Sequence, residues 1–321
     1  MLKIEKKVNI GDFFDISHDL PENSLILDIE TCGLFAKNQP IFLIGLLISP
    51  DEDGGDYEII QIMTEDDSQE EENAMLEAMF EIVGSRTLIS FNGRAFDLPF
   101  INTRSEKYGL GDYSPDQIDI YYEMRAMRRI MGLKSLSLKN IEKLAAYERT
   151  DRLTSKEVAD SAPLRFESEV KDLLLLHNHD DLIGSLAVFN YFQKFKNALG
   201  FVIDRGPLKE RLASLTAFSH NSYQGIADFK LNPTSVLKGF QESSYGKIEW
   251  EAENLRLTFP LHGGYLNGEK LRVAASPLPF NDSSPYKLKS PIFTVSDQNK
   301  DYGKNIVKLL QALTLSLAED I

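Results

Sequence analysis

Residues 24–30 read SLILDIE, a short apolar run that ends in two acidic residues. Such a run is typical of a buried strand, in which Asp28 and Glu30, two residues apart, point to the same face. With 49 acidic residues in 321, about seven acid-x-acid pairs are expected by chance, so the pair gains weight only from its position. Buried carboxylates are costly unless they are neutralised, as Mg²⁺ or Mn²⁺ would do. An acidic edge that runs into a turn remains the alternative.

Apolar periodicity predicts further strands and helices after this run. The stretch Ile41–Ile48 predicts a second strand, and DEDGGD at 51–56 predicts a tight turn after which Tyr57–Met63 returns antiparallel. The elements predicted downstream are a helix at Ala74–Val83, a strand at Thr87–Phe91, a helix beginning at Asp97, a strand at Gln117–Tyr122 and helices to about Lys196. This order predicts an α/β domain with a mixed sheet flanked by helices.

The composition changes beyond Gly200, where Gly, Pro, Ser and Asn become frequent. We therefore predict one domain at 1–199 and a smaller β-containing region at 200–321. The elements predicted in this region are a helix around Leu208–Phe218, hairpins that turn at Glu253-Asn254 and Asn267-Gly268, and a helix at Asn305–Leu317.

Two further segments carry residues that could bind metal. The segment FNGRAFD at 91–97 places Asp97 after a glycine-containing turn, at the start of a helix, where an N-cap is the alternative role. In HNHDD at 177–181, His177 and Asp181 lie one helical turn apart, so the histidine could act as a general base while the aspartate holds a metal. An exposed polar helix end is the alternative, and Asp180 is expected to face solvent.

Charge and cysteine content restrict the possible partners and location. The net charge of −14 argues against a broad phosphate-binding surface, although the stretch Arg125–Arg152 has eight basic and three acidic residues. That stretch is either a nucleic-acid contact surface or a solvated helix face. No apolar run is long enough to span a membrane, and the charged N-terminus does not resemble a secretory signal. Together with the single cysteine, Cys32, these features predict a reducing, cytoplasmic location without a membrane partner.

The order of these motifs resembles the DEDD superfamily of 3′–5′ exonucleases. Over about 24–196 the chain is most similar to bacterial YprB-type ribonuclease H-like domains, which are relatives of the proofreading exonuclease of B-family DNA polymerases. The segments that carry the resemblance are LDIETCGL with the following IFLIGLL, SFNGRAFDLPFI, SLSLKNIEKLAAYERTDRL and HNHDDLIGS. The resemblance does not extend to 200–321.

The resemblance implies a two-metal mechanism with two Mg²⁺ or Mn²⁺ ions, in which one ion activates water and the other stabilises the leaving 3′-oxygen. The four carboxylates that match the family are Asp28, Glu30, Asp97 and Asp181. The implied substrate is nucleic acid with single-stranded 3′ ends, either DNA or RNA. The residues expected to contact it are Thr31, Leu34 and Asn92 by resemblance, and Arg128 and Arg129 from the basic stretch.

His177 departs from the family pattern. Relatives of this type usually carry a tyrosine four residues before the last aspartate, and His177 stands at that spacing. A histidine with a reference pKa of about 6.5 is a better base at neutral pH than a tyrosine at about 10.

Two other functions would use the same scaffold. A ribonuclease H-type endonuclease would apply the same carboxylates to internal phosphodiesters, and a substrate with blocked 3′ ends distinguishes it. A non-catalytic nucleic-acid-binding scaffold is disfavoured by the intact set of four carboxylates.

Overall fold

A computed structural model describes residues 1–13, 20–50, 55–203, 206–234 and 238–318. The chain forms two compact units: the first comprises Met1–Tyr122 and Ser137–Tyr191, the second Glu123–Leu136 and Phe192–Ile321. Segment 123–136 thus clusters with the C-terminal residues, and the predicted boundary between residues 199 and 200 stays a prediction. No helix within the described ranges is long and apolar enough to cross a membrane.

The first unit is built on a six-stranded mixed sheet. Its strands are β1 (Leu2–Val8), β2 (Ser24–Thr31), β3 (Ile41–Ile48), β4 (Tyr57–Met63), β5 (Thr87–Ser90) and β6 (Gln117–Asp119). They lie in the order β1-β4-β3-β2-β5-β6; the first four pair antiparallel, β5 is parallel to β2, and β6 is parallel to β5. The antiparallel return of β4 against β3 is confirmed, while residues 51–54 of the predicted turn lie outside the described residues.

Helices cover this sheet, which confirms the predicted α/β class. They are α1 (Gln69–Val83), α2 (Asp97–Tyr108), α4 (Leu138–Glu142), α5 (Ser155–Ser161) and the part of α6 (Ser168–Ala198) up to Tyr191; α3 (Ile120–Met131) belongs mostly to the second unit. On β2, Leu25, Leu27 and Ile29 belong to the core that includes residues of α1 and α2. Because side chains alternate along a strand, Asp28 and Glu30 point to the opposite face, toward α6.

Two elements of the first unit differ from the prediction. Strand β1 was not predicted, because its charged, alternating residues are those of an edge strand; it lies at the edge of the sheet, paired with β4. The strand predicted at Gln117–Tyr122 ends at Asp119, since α3 begins at Ile120.

The second unit is mostly antiparallel sheet. Its elements are β7 (Phe201–Val202), β8 (Leu212–His220), β9 (Gln224–Asn232), β10 (Gly239–Ser243), β11 (Gly246–Glu251), β12 (Asn254–Pro260), β13 (His262–Leu266), β14 (Glu269–Ala275), β15 (Ile292–Ser296) and α7 (Gly303–Ala318). Strands β7 to β12 form one six-stranded sheet and β13 to β15 form another. Both predicted hairpins and the final helix are confirmed, although the first hairpin turns at Ala252-Glu253, one residue earlier than predicted.

The helix predicted around Leu208–Phe218 is wrong, because most of that stretch is β8. Its Leu and Ala residues favour a helix locally, but nine consecutive residues pair with or lie alongside β9. The shift of register between Leu215 and Ala217 breaks the simple alternation by which the sequence would have indicated a strand.

Candidate active site

Asp28 is held by an amide network behind β2. The Asn178 Nδ2 donates to the Asp28 Oδ2 at 2.9 Å, and the Gln61 Nε2 donates to the Asn178 Oδ1 at 2.9 Å and to the carbonyl of Leu175 at 2.8 Å. Gly45 faces Asp28 across the β2–β3 pair, and a Cβ there would overlap the Asn178 amide. A glycine in β3 therefore allows α6 to reach Asp28.

Asp97 is the first residue of α2, yet its carboxylate does not cap that helix. Residue Phe96 occupies the N-cap position without a side-chain hydrogen bond, and the Asp97 Oδ1 accepts the backbone N–H of Ile29 at 3.2 Å. This bond ties Asp97 to the strand segment between Asp28 and Glu30. Strand β2 and helix α2 thus present three buried or half-buried carboxylates beside one another.

These carboxylates resist ionisation in the metal-free protein. Burial, together with the charges of the neighbouring acids, raises the pKa of Asp28 and of Glu30 well above the usual range. Burial and the Asp119 and Asp181 carboxylates raise the pKa of Asp97 to about 7, although hydrogen bonds to backbone N–H groups oppose the rise. A bound cation would relieve both the burial cost and the mutual repulsion.

His177 on α6 stands between two sets of carboxylates. Burial opposes the ionisation of Asp151, but the N–H of Leu153 and the hydrogen bond with His177 lower the pKa of this carboxyl below its usual value. An ionised Asp151 only accepts, so the His177 Nδ1–H donates to its Oδ2 at 2.6 Å. In the neutral imidazole the lone pair is then on Nε2, which lies 3.4 Å from the Asp181 Oδ2 and 3.8 Å from the Glu30 Oε1. A proton or a cation among these three acceptors would offset their repulsion.

Arg149 is a second partner of Asp181, and it was not predicted as a site residue. Its guanidinium donates to Glu142 through Nε at 2.8 Å and Nη2 at 2.9 Å, to Asp151 through Nη1 at 3.3 Å, and to the Asp181 Oδ1. Burial opposes a charged guanidinium, but hydrogen bonds with Glu142 and the nearby Asp181 raise the pKa of Arg149 above its usual value. Arg149 is therefore a cation inside the acidic cluster.

Sequence reasoning missed Glu142, Arg149 and Asp151 as site residues. It counted all three in the basic stretch that was interpreted as a surface, although the motif SLSLKNIEKLAAYERTDRL contains them. The signal that could have found them was this motif, since it contributes to the family resemblance without supplying any of the four carboxylates.

Asp180 was expected to face solvent, and that expectation is wrong. Its side chain is buried; Oδ1 accepts the hydroxyl of Tyr147 at 2.9 Å, and Oδ2 accepts the N–H groups of Thr150 and Asp151 at 2.7 Å each. The face of α6 that carries residue 180 is therefore covered by segment 147–151. Asp180 fixes the backbone that positions Asp151 against His177.

Three predicted substrate contacts lie at the end of β2, in the loop that follows it and in the turn after β5. The Thr31 hydroxyl donates to the carbonyl of Gly33 at 2.8 Å, and the Leu34 side chain is 78% exposed. Asn92 has a φ of 70°, which asparagine tolerates, and its N–H donates to the Asp119 Oδ1 at 3.1 Å. Asp119, also missed, thereby shapes the turn before α2. The roles of Thr31, Leu34 and Asn92 toward substrate stay predictions.

Arg128 and Arg129 lie in the second unit and contact protein groups there. Arg128 donates through Nε to the carbonyl of Leu133 at 3.1 Å and through Nη2 to that of Lys134 at 2.5 Å, just beyond α3. Arg129 donates through Nε and Nη2 to Asp301 at 3.1 Å, while its side chain stays about half exposed. Contact of either arginine with nucleic acid stays a prediction.

The donor set suits a divalent cation. Glu30, His177 and Asp181 each offer one ligand atom, and these atoms lie within 4.8 Å of one another. Carboxylate oxygens are the ligands that Mg²⁺ and Mn²⁺ prefer, and an imidazole nitrogen favours Mn²⁺ over Mg²⁺. Asp28 and Asp97 add two further buried carboxylates whose charge a second cation would offset.

No curated protein matches the chain. Among solved structures, the chain is similar to the family B DNA polymerase from the hyperthermophilic archaeon Pyrobaculum calidifontis, with 15% sequence identity and a TM-score of 0.43. That likeness covers 55% of this chain and 25% of the polymerase chain, so the match spans about a quarter of the polymerase's length.

A family model gives the assignment. The model of the RNase_H superfamily matches residues 25–193, which is more than half of the chain and includes all four predicted carboxylates. The chain belongs to the RNase_H superfamily.

Proposed function

We propose that this chain is a metal-dependent 3′–5′ exonuclease of the DEDD type. The observation that carries the proposal is the meeting of Asp28 and Glu30 on β2, Asp97 at the start of α2 and Asp181 on α6. The Asp181 charge is near enough to contribute to the raised pKa of each of the other three. Such a buried, mutually repelling set has no structural benefit on its own, and burial of this kind is typical of functional sites.

The four carboxylates would hold two divalent cations, Mg²⁺ or Mn²⁺. When bound, these ions supply an activated water and charge stabilisation for the leaving 3′-oxygen. The protein's part is to fix the ligands: Asn178 orients Asp28, the Ile29 N–H orients Asp97, and Arg149 orients Asp181. Ligands held this way need little reorganisation when substrate arrives.

His177 is proposed as the general base. Its Nδ1–H is donated to Asp151, so the Nε2 is the atom that accepts a proton from water. The same nitrogen lies beside Glu30 and Asp181, two of the proposed metal ligands, as a base for the attacking water must.

The proposed substrate is a single-stranded 3′ end of DNA or RNA. Exposed Leu34, in the loop after β2, offers an apolar surface against which a terminal base could pack, and Asn92 follows β5. The deep acidic site cannot bind a phosphate without cations, which fits a chain with a net charge of −14.

A digestion assay with labelled oligonucleotides tests this proposal. Single-stranded DNA and RNA, labelled at either the 5′ or the 3′ end, are incubated with Mn²⁺ and the products are separated as a ladder. A 5′ label should give a ladder that shortens one nucleotide at a time, whereas a 3′ label should be released as a mononucleotide. A blocked 3′ end should stop digestion.

Two results would favour the other functions. Cleavage of 3′-blocked or circular substrate would indicate an endonuclease. Binding without cleavage in every condition would indicate a non-catalytic scaffold. Asp28→Ala should abolish digestion, whereas Glu81→Gln, which replaces an exposed acid on α1 outside the site, should leave it unchanged.

A further inference from the structure

The buried Arg149 divides its N–H groups among three carboxylates of the site. Two of its nitrogens face Glu142 in a forked arrangement, one faces Asp151, and Nη2 also contacts the Asp181 Oδ1. Its side chain is 7% exposed, and that of Glu142 is 2% exposed. Water therefore screens this cation weakly from Asp181.

Helix α6, which carries Asp181, has a glycine where the side chain of Glu142, the partner of Arg149, packs against it. At Gly184, three residues after Asp181, an added Cβ would overlap the Glu142 Oε1. Any larger residue there would push Glu142 away from α6, and with it Arg149. The glycine thus lets Glu142 hold the guanidinium against the Asp181 side chain.

The two oxygens of Asp181 face different partners. Oδ1 accepts from Arg149, while Oδ2 lies 3.4 Å from the His177 Nε2, on the side of Glu30. Arg149 therefore occupies one oxygen and leaves the other for a cation position shared with Glu30 and adjacent to the His177 Nε2. The same guanidinium adds a positive charge next to that position.

We propose that Arg149 is a positioning residue and a built-in electrostatic brake on cation binding. It directs one oxygen of Asp181 toward Glu30 and His177, and its charge weakens the binding of a divalent cation there until the phosphate of a substrate adds negative charge. This inference rests on the proposed metal-dependent function. By linkage, the protein then binds the cation more tightly when substrate is bound, and binds substrate more tightly when the cation is bound.

Glu142 sets the strength of the brake. While it is ionised, it draws the guanidinium toward itself and shares its charge. Without the charge of Glu142, the guanidinium would be shared by Asp151 and Asp181 only. Removing Glu142's charge and removing the whole pair should therefore change cation affinity in opposite directions.

The test is Mn²⁺ binding to the full-length, metal-free protein, measured from the electron paramagnetic resonance signal of free Mn²⁺. The variants are Glu142→Gln and the double variant Arg149→Gln/Glu142→Gln, which leaves no unpaired buried charge in this pair. Arg152→Gln, which removes an exposed arginine three residues away, is the control. The double variant should bind Mn²⁺ a few-fold more tightly than the unmodified protein, because the positive charge it removes contacts Asp181 and the negative charge it removes lies farther away.

Glu142→Gln should bind Mn²⁺ more weakly than the unmodified protein. Arg152→Gln should bind Mn²⁺ as tightly as the unmodified protein. Adding an oligonucleotide with a hydrolysis-resistant phosphorothioate 3′ end should tighten Mn²⁺ binding more in the unmodified protein than in the double variant. A merely structural arginine would not produce opposite shifts in the two variants.

Equal or weaker Mn²⁺ binding by the double variant would overturn the brake while leaving a metal site. Circular dichroism would show whether the double variant folds. If it does not, Mn²⁺ binding by Glu142→Gln that is as tight as that of the unmodified protein, or tighter, would overturn the proposed role of Arg149. If the unmodified protein binds no Mn²⁺ with or without the oligonucleotide, the proposed metal-dependent function fails together with the brake.

Discussion

The acidic site has two sides that handle charge differently. The strand side consists of Asp28, Glu30 and Asp97; the helix side consists of Glu142, Arg149, Asp151, His177 and Asp181. No lysine or arginine within the described residues forms an ion pair with a strand-side carboxylate, and all three strand-side pKa values are raised. On the helix side, Arg149 contacts all three carboxylates. Under the proposed function, the strand side would depend on cations from solution, while the helix side already contains the Arg149 guanidinium.

This difference predicts the largest effects on the strand side. Asp28→Ala or Asp97→Ala should lower kcat by about a thousandfold or more, since a bound cation contributes several kcal/mol of transition-state stabilisation and about 1.4 kcal/mol corresponds to a factor of ten. The metal-free variants should be at least as stable as the unmodified protein, because each loses a repelled, buried carboxylate. Single-turnover digestion and thermal unfolding measure the two effects.

Near-normal kcat in either variant would remove that residue from the metal ligands. Glu81→Gln should leave both kcat and Tm unchanged, which separates the loss of a ligand from the loss of a surface charge.

On the helix side, His177→Ala should lower kcat by about a hundredfold or more, the usual scale for a positioned base. His177→Tyr should recover part of the loss, because relatives of this type usually carry tyrosine at this spacing. If His177 merely packs beside Asp181, the alanine variant will keep a kcat close to that of the unmodified protein.

Asp151→Asn should lower kcat less than His177→Ala, by about tenfold, since it removes only the group that orients the imidazole. Combined with His177→Ala it should add little, because the two residues act as a unit. An additive loss in the double variant would show that Asp151 does not act through His177.

The stability of the metal-free protein should depend on pH through the strand side. The pKa of Asp97 is about 7 in the folded protein, against about 3.9 in an unfolded chain, so the folded state holds the extra proton between these values. That stabilising contribution is fully present below about pH 4 and is lost as the pH rises through about 7.

Thermal unfolding in excess chelator should therefore give a Tm that falls from pH 5 to pH 8. The Tm of Asp97→Asn should fall less steeply over the same range. Asp28 and Glu30, whose pKa values are also raised, contribute in the same direction. A Tm that rises over this range in the chelated protein would contradict the raised strand-side pKa values.

The smallest effect is expected outside both sides of the site. Replacing Arg128 and Arg129 with alanine should raise KM a few-fold and reduce the slope of log K against log salt by up to about 2, with little change in kcat. Because Arg129 also pairs with Asp301, the Tm of the double variant should fall modestly. The single variant Arg128→Ala keeps the Arg129–Asp301 ion pair. A salt slope that is unchanged in both the single and the double variant would indicate that this stretch is a solvated helix face.

The same two sides differ in how far the sequence could predict them. The strand side follows from local patterns: an apolar run marks β2, alternation pairs Asp28 with Glu30, and a glycine-containing turn precedes Asp97. The helix side depends on contacts between residues distant in sequence, such as Arg149 with Asp181 and Gly184 with Glu142. Local composition made that segment look like a basic surface, because burial and pairing leave no periodic signal in so short a loop.

The fold shows the same limit. Strands β2, β3 and β4 are apolar and closely spaced, so their pattern predicted them, whereas β1 and β8 owe their conformation to the strands beside them. At Leu208–Phe218 the tertiary pairing with β9 outweighs a local preference for helix. Asp180 likewise looked like a solvent-facing acid because its partners are a tyrosine hydroxyl and two backbone N–H groups 29 to 33 residues earlier.

Metal dependence is tested most directly by one time course of digestion. A 5′-labelled single-stranded oligonucleotide is incubated with the purified protein in excess chelator, and excess Mn²⁺ is added midway. The carboxylate site predicts no shortening before the addition and a ladder descending from the 3′ end after it. Full digestion in the presence of chelator would contradict a cation-dependent site formed by Asp28, Glu30, Asp97 and Asp181.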